Sequence, residues 1–324
     1  MLLGGWLHAG KRALKERQLL GKGLNIWICF LCLLAAVALE KKAHCWGGEN
    51  LTRQQDTASI EILRGRDELQ GWIISVRRKI EKQLTPEQRF FFREELFPEQ
   101  ELKIFSQGSS NVLVVAPHGF PGDDDHTDYL AYFLAKELNA SYLINNKLFY
   151  KPGKQHPTGQ PANLNQPWSS NPHTRKFVDI LVKMVSTIGA RTKATPLVLC
   201  IHGMSDANAR RLCAGDFCLG AGYTSEEREK ALAPGGAATA SKEVIEGILQ
   251  GLCSRGFSAT DGVPQYCAKK AIPGYLKSME HKIGPTHAVQ VEVRYLGLRD
   301  PANLVKTARE LASVVRGLQA FKKP

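Results

Sequence analysis

Two apolar runs that each stop on the dipeptide His-Gly constrain this chain more than any other feature: V-L-V-V-A-P-His118-Gly119 and L-V-L-C-I-His202-Gly203. Short unbroken runs rich in valine, leucine and isoleucine, ending in turn formers, are the pattern of strands buried on both faces. Strands are therefore expected over 111–116 and 196–201, with further strands at 141–145, 256–259 and 288–295. Helical spacing separates them. Tyr129, Leu130, Phe133, Leu134 and Leu138 share one helical face, with start signals at Asp125 to Thr127. Further helices are expected over 175–188, 241–252 and 301–318. Buried strands alternating with helices predict an α/β fold: a three-layer α/β/α sandwich, phosphorylase/hydrolase-like, around a mixed, mostly parallel central sheet.

In such sheets ligands bind at the carboxyl ends of the strands, so both imidazoles are aimed at one edge. A metal site assembled from distant sequence positions needs that convergence. The glycine after each histidine lets the chain turn and a ligand approach the backbone. Catalytic zinc takes three protein ligands from His and Asp/Glu and keeps a fourth position open. The third is offered by Asp123-Asp124-Asp125, where adjacent carboxylates repel unless a cation neutralises them. Asp124 is the first choice and Asp123 the second, beside the reading of the triplet as a solvated turn that caps the next helix, which suits Asp125. His126 reads as a surface group or a support to a ligand. His156 and His173 read as exposed loop histidines in a Pro/Gly/Asn-rich segment over 151–171.

The run Val289-Gln290-Val291-Glu292-Val293-Arg294 alternates strictly, with valines on one face and Gln290, Glu292 and Arg294 on the other. Two readings stand: the polar face meets solvent, or it lines a cleft. In a cleft, Glu292 is a candidate general base and then acid.

At these residues the chain resembles the N-formylglutamate amidohydrolase family, a branch of the zinc-carboxypeptidase-like hydrolases. The likeness spans roughly residues 110 to 300. It rests on V-V-A-P-His118-Gly119 and the helix after it, L-I-N-N-K followed by N-L-N-Q, I-His202-Gly203-Met204, and V-Q-V-Glu292-V-R. The resemblance implies one Zn2+ held by His118, His202 and an acid shortly after His118, with Glu292 as the catalytic carboxylate. It also implies hydrolysis of an amide next to a carboxylate in a small N-acyl amino acid or peptide-like substrate. The family's acidic-x-Asn-Arg element stands here as Asn163-Leu164-Asn165-Gln166, which lacks the arginine. Asn165, Arg175 and Arg294 are accordingly the candidate substrate-binding residues. The missing arginine also supports an alternative, a non-catalytic binding or membrane-associated domain that retains the fold. No G-x-S-x-G elbow or P-loop sequence is present.

The formal charge of +12 does not point to nucleic acid. Much of the excess sits in Lys11, Arg12, Lys15, Arg17 and Lys22, and no nucleic-acid-binding motif accompanies it. Those residues precede the apolar run Leu24 to Leu39, which reads as a signal-peptide core with Ala36-Val37-Ala38 as a small-x-small site, or as a transmembrane signal anchor. Export, as a secreted or lumenal protein, or membrane attachment through 24–39 is expected. The organisation that follows is 1–45 as signal or anchor, 46–105 as polar connector and helical lead-in, and 106–324 as the zinc hydrolase domain. Export would permit Cys213 to pair with Cys218 and Cys253 with Cys267, and leaves Asn50 and Asn139 as glycosylation acceptors. Cys200 reads as an inert core thiol.

Overall fold

The computed structural model describes residues 71, 74–86, 89, 102–119, 124–145, 162–212 and 214–318. All lie within one compact unit, Glu68–Pro324. Residues 24–39, and with them the expected signal or anchor, fall outside the described part. Among the described residues no helix is long and apolar enough to cross a membrane.

Seven strands form one sheet: β1 (Leu102–Phe105), β2 (Val112–Ala116), β3 (Ser141–Asn145), β4 (Leu197–Met204), β5 (Phe217–Gly220), β6 (Ala259–Asp261) and β7 (His287–Arg294). Their order is β1-β3-β2-β4-β7-β5-β6. The pairs β2/β3, β2/β4, β4/β7 and β5/β6 run parallel, while β1/β3 and β5/β7 run antiparallel. The sheet is thus mixed and mostly parallel, as expected. Among the described residues, four helices of a dozen residues or more accompany it: α1 (Thr127–Leu138), α2 (Pro172–Thr192), α3 (Lys242–Cys253) and α4 (Leu304–Gly317).

Side-chain alternation assigns the layers. One face of the sheet presents Val112, Val114, Leu199, Ile201, Val289, Val291 and Val293 to α1, α3 and α4. The other presents Leu113, Val115, Val198, Cys200 and Ala288 to α2 and the short helix Ile272–Ser278. Burial on both sides explains why the central strands read as continuous apolar runs.

The sheet takes in more chain than the boundary at 106 suggested. β1 adds Leu102–Phe105 to one edge, and Val76, Ile80 and Leu84 join the core that contains α1, α3 and α4. The expected short strand over 256–259 is β6, shifted to Ala259–Asp261. Helix α1 is not capped by Asp125. His126 occupies the N-cap in a left-handed conformation, φ 68°, without a side-chain cap bond, and the Thr127 hydroxyl instead donates to the Asp124 carbonyl at 2.9 Å. By contrast, Asn171 caps α2, its side chain accepting from the His173 and Thr174 amides.

Neither expected disulfide forms: Cys218, Cys253 and Cys267 are all free, and Cys213 is outside the described residues. Cys253 ends α3 and Cys267 follows a 3-10 turn, Pro264–Tyr266, with β6 between them. A strand carries the chain away at about 3.3 Å per residue, and a disulfide needs Cα atoms within about 7 Å. Closeness in sequence does not supply that.

Candidate active site

The site is built at the carboxyl ends of the three central parallel strands. β2 ends at Ala116, and the turn after it carries His118. Asn145, the last residue of β3, donates its side-chain amide to the Pro117 carbonyl at 2.9 Å, and the Thr127 hydroxyl reaches the His118 carbonyl at 3.2 Å. The turn is thereby pinned from both sides. His202 is the sixth residue of β4, and its ring lies edge-on to that of His118 with centroids 5.1 Å apart. Both histidines are buried.

Asp124 closes on them. Its Oδ2 lies 3.1 Å from His202 Nδ1 and accepts from the Gly203 amide at 3.1 Å. The residue adopts φ 50°, a left-handed conformation that aspartate tolerates better than most. Burial alone would raise its carboxyl pKa. The hydrogen bond and charge of His202, the charge of His118 and the Gly203 amide outweigh it and hold the group down at about 2. Asp123, the second choice, lies outside the described residues.

Glu292 sits beside His202. The two are register partners on β4 and β7, and both alternate against residues of the valine-rich face, Ile201 and Val291, so they share the opposite face. The polar face of β7 therefore does not meet solvent: Gln290 and Glu292 are 5% and 4% exposed. The Gln290 amide donates to Glu292 Oε1 at 2.8 Å. Burial, then repulsion from Asp124, pushes the Glu292 carboxyl up to about 8, against the pull of that hydrogen bond and of the Arg299 and His118 charges. A carboxyl poised near neutrality is suited to accepting and returning a proton.

The candidate substrate-binding residues are placed less centrally. Arg294, the last residue of β7, is engaged by two carboxylates, Asp216 at 2.9 Å and Asp206 at 3.8 Å. Arg175 is exposed on the first turn of α2. Asn165 faces Gln290, its amide nitrogen 3.4 Å from Gln290 Oε1.

A residue not singled out from sequence, Arg299, is built into the site. It is 3% exposed and donates to the carbonyls of Val293 at 2.8 Å, Met204 at 3.2 Å and Asp125. Its guanidinium lies where a Cβ on residue 203 would stand, so the glycine of the second His-Gly pair makes room for this cation. His126 is buried rather than at the surface, with Nδ1 3.1 Å from the Arg299 carbonyl and its ring between Tyr129 and Tyr295.

Among the described residues, no three His, Cys, Asp or Glu side chains form a ready-made metal cluster. Two imidazoles and one carboxylate are nonetheless the donor set of many catalytic zinc sites, and the distances are compatible with one shared ion. Two ligand atoms of a tetrahedral zinc lie about 3.3 Å apart, and two ligating imidazoles have centroids roughly 5 Å apart. The separations of 3.1 Å and 5.1 Å match these.

Neither a protein-family profile nor any curated protein matches the chain. Solved structures of hydrolases are similar to it. An N-formylglutamate amidohydrolase from Ralstonia eutropha JMP134 shares 16% identity over 70% of this chain and 96% of its own, with a TM-score of 0.41. A bacteriophage poly-gamma-glutamate hydrolase shares 16% over 68% and 87%, at 0.40. The succinylglutamate desuccinylase of Chromobacterium violaceum shares 14% over 66% and 64%, at 0.34.

Proposed function

We propose that this chain is a zinc-dependent hydrolase of an amide bond next to a carboxylate, in an N-acyl amino acid or a peptide-like substrate. The observation that carries the reading is the meeting of Asp124 with His202 beside Glu292, from positions up to 168 residues apart, at one edge of the sheet. His118, His202 and Asp124 hold the metal. Zinc, when bound there, supplies Lewis acidity to the scissile carbonyl and lowers the pKa of water.

The remaining steps belong to this chain's side chains. Glu292, dry and with its pKa raised, takes a proton from the attacking water on its carboxylate and returns it to the departing amine nitrogen. Arg299, anchored by hydrogen bonds to three backbone carbonyls, offsets the negative charge of Asp124 and Glu292. Arg175 and Asn165 are the residues proposed to meet the substrate's carboxylate side, and residues 24–39 are proposed to export or anchor the protein.

The test is a hydrolysis screen of the zinc-loaded protein over N-acyl amino acids, γ-glutamyl peptides and C-terminal peptide bonds, run with Glu292→Gln. Cleavage that disappears in the variant is expected. Cleavage that persists in Glu292→Gln, or the absence of any cleavage, overturns the reading.

A further inference from the structure

Glu292 is not held by the metal-side residues alone. A single line of hydrogen bonds reaches it from the opposite direction, and its polarity is set by the main chain. The Ile272 peptide N–H donates to Asn165 Oδ1 at 3.3 Å. A backbone amide can only donate, so the acceptor must be the oxygen of the Asn165 side chain, and its Nδ2 must turn to Gln290 Oε1, 3.4 Å away. That contact in turn commits Gln290 to point Nε2, a donor, at Glu292 Oε1 at 2.8 Å. Neither amide can flip without breaking a bond at both of its ends.

The line is anchored at its far end. Asn165's own amide donates to Asn163 Oδ1 at 3.0 Å, the Thr174 hydroxyl donates to the Asn163 carbonyl at 3.3 Å, and Leu164 between them is fully buried in the core. The segment N-L-N-Q is thus tied both to α2 and to the start of the helix Ile272–Ser278.

We infer that Gln290, oriented by Asn165, is a positioning residue for Glu292: it holds Oε1 as an acceptor and leaves Oε2 as the oxygen that exchanges a proton with water and amine. The inference rests on the proposed role of Glu292. A glutamate side chain has three torsions, and burial excludes the water that would otherwise steady it. A fixed donor from two residues back on the same strand face confines the carboxylate plane. The proton is carried by one oxygen only, because a protonated Oε1 would confront the Gln290 amide with a second hydrogen. Asn165 acts here through Gln290, in addition to any contact its second amide hydrogen makes with substrate.

The experiment uses the full chain in four forms: wild type, Gln290→Met, Glu292→Gln and the double variant. Methionine keeps the length and burial of glutamine and removes the donor. A hydrogen bond to a charged group contributes about 1.5–3 kcal/mol, so Gln290→Met is expected to lower kcat by roughly 10- to 100-fold with KM changed less than about threefold. In the Glu292→Gln background the same change should cost less than about twofold, since the group it positions is gone. A full additional loss in that background, or an unchanged kcat, overturns the inference. A second readout needs no substrate: the side-chain amide signals of Gln290 in an amide-labelled protein should move on Glu292→Gln and on Asn165→Leu. Signals that stay in place in both variants also overturn it. Absence of all hydrolysis by wild type, with the amide signals moving as expected, contradicts the proposed function and leaves the hydrogen-bonded line intact.

Discussion

The two faces of β7 carry opposite chemistry within eight residues. Val289, Val291 and Val293 are fully buried against α1, α3 and α4. On the other face Ala288 packs in the core, and Gln290 and Glu292 are nearly as buried as the valines, yet polar. A buried carboxyl is costly unless paired or put to use, and a strand that meets the cost on one face alone is shaped by chemistry there and by packing on the other. β4 repeats the contrast, with Leu199 and Ile201 on the apolar side and Cys200 then His202 on the other. Polarity rises toward the carboxyl ends of both strands, where the site lies.

The contrast can be broken by substitution. Glu292→Gln should cut hydrolysis by about 10²- to 10⁴-fold, the usual contribution of a general acid-base group, with folding retained. Val291→Ala, one residue away on the other face, should keep activity within a fewfold and lower unfolding free energy by about 1.5–3 kcal/mol in denaturant titration. If the two effects are exchanged, the division of the strand is wrong. Next in size is Gly203→Ala. Its Cβ meets the Arg299 guanidinium, which cannot yield while bound to three carbonyls, and about 1–3 kcal/mol of stability should be lost. A stable variant with Arg299 unmoved would contradict this packing.

A smaller effect is read in the chelated protein. The Glu292 carboxyl is raised from 4.5 to about 8, so its contribution to stability is full below about pH 4.5 and is lost as pH rises through about 8. Glu292→Gln should therefore flatten the fall in unfolding free energy of wild type across that window. Equal slopes in the two proteins would show that the carboxyl is not dry. The smallest effect is on thiols: Cys253, exposed, should alkylate in the native protein, whereas Cys200, buried and with its pKa pushed far up, should not.

Much of this arrangement was legible in the sequence because it rests on local pattern. The runs ending at His118 and His202, the alternation around Glu292 and the apolar stripes of α1 and α4 each declare their element by spacing alone. β1 and β5 were not legible, since L-K-I-F and F-C-L-G are four-residue segments whose pairing depends on β3 and β7 far away in sequence. Arg299 escaped for a related reason. Nothing in its neighbourhood marks it as buried, and its partners are the carbonyls of residues 125, 204 and 293, which only the tertiary fold brings together. Asn165 was a candidate for substrate binding by its place in Asn163-Leu164-Asn165-Gln166, whereas its contact with Gln290, which donates to Glu292, depends on the tertiary fold.

The central claim is that His118 and His202 converge on one metal ion, and metal analysis of purified full-length protein tests it most directly. Wild type should carry about one zinc per chain, with His118→Ala and His202→Ala each losing most of it while remaining folded. Stoichiometric zinc that survives both substitutions, or a wild type that binds none from a zinc buffer, would contradict the account.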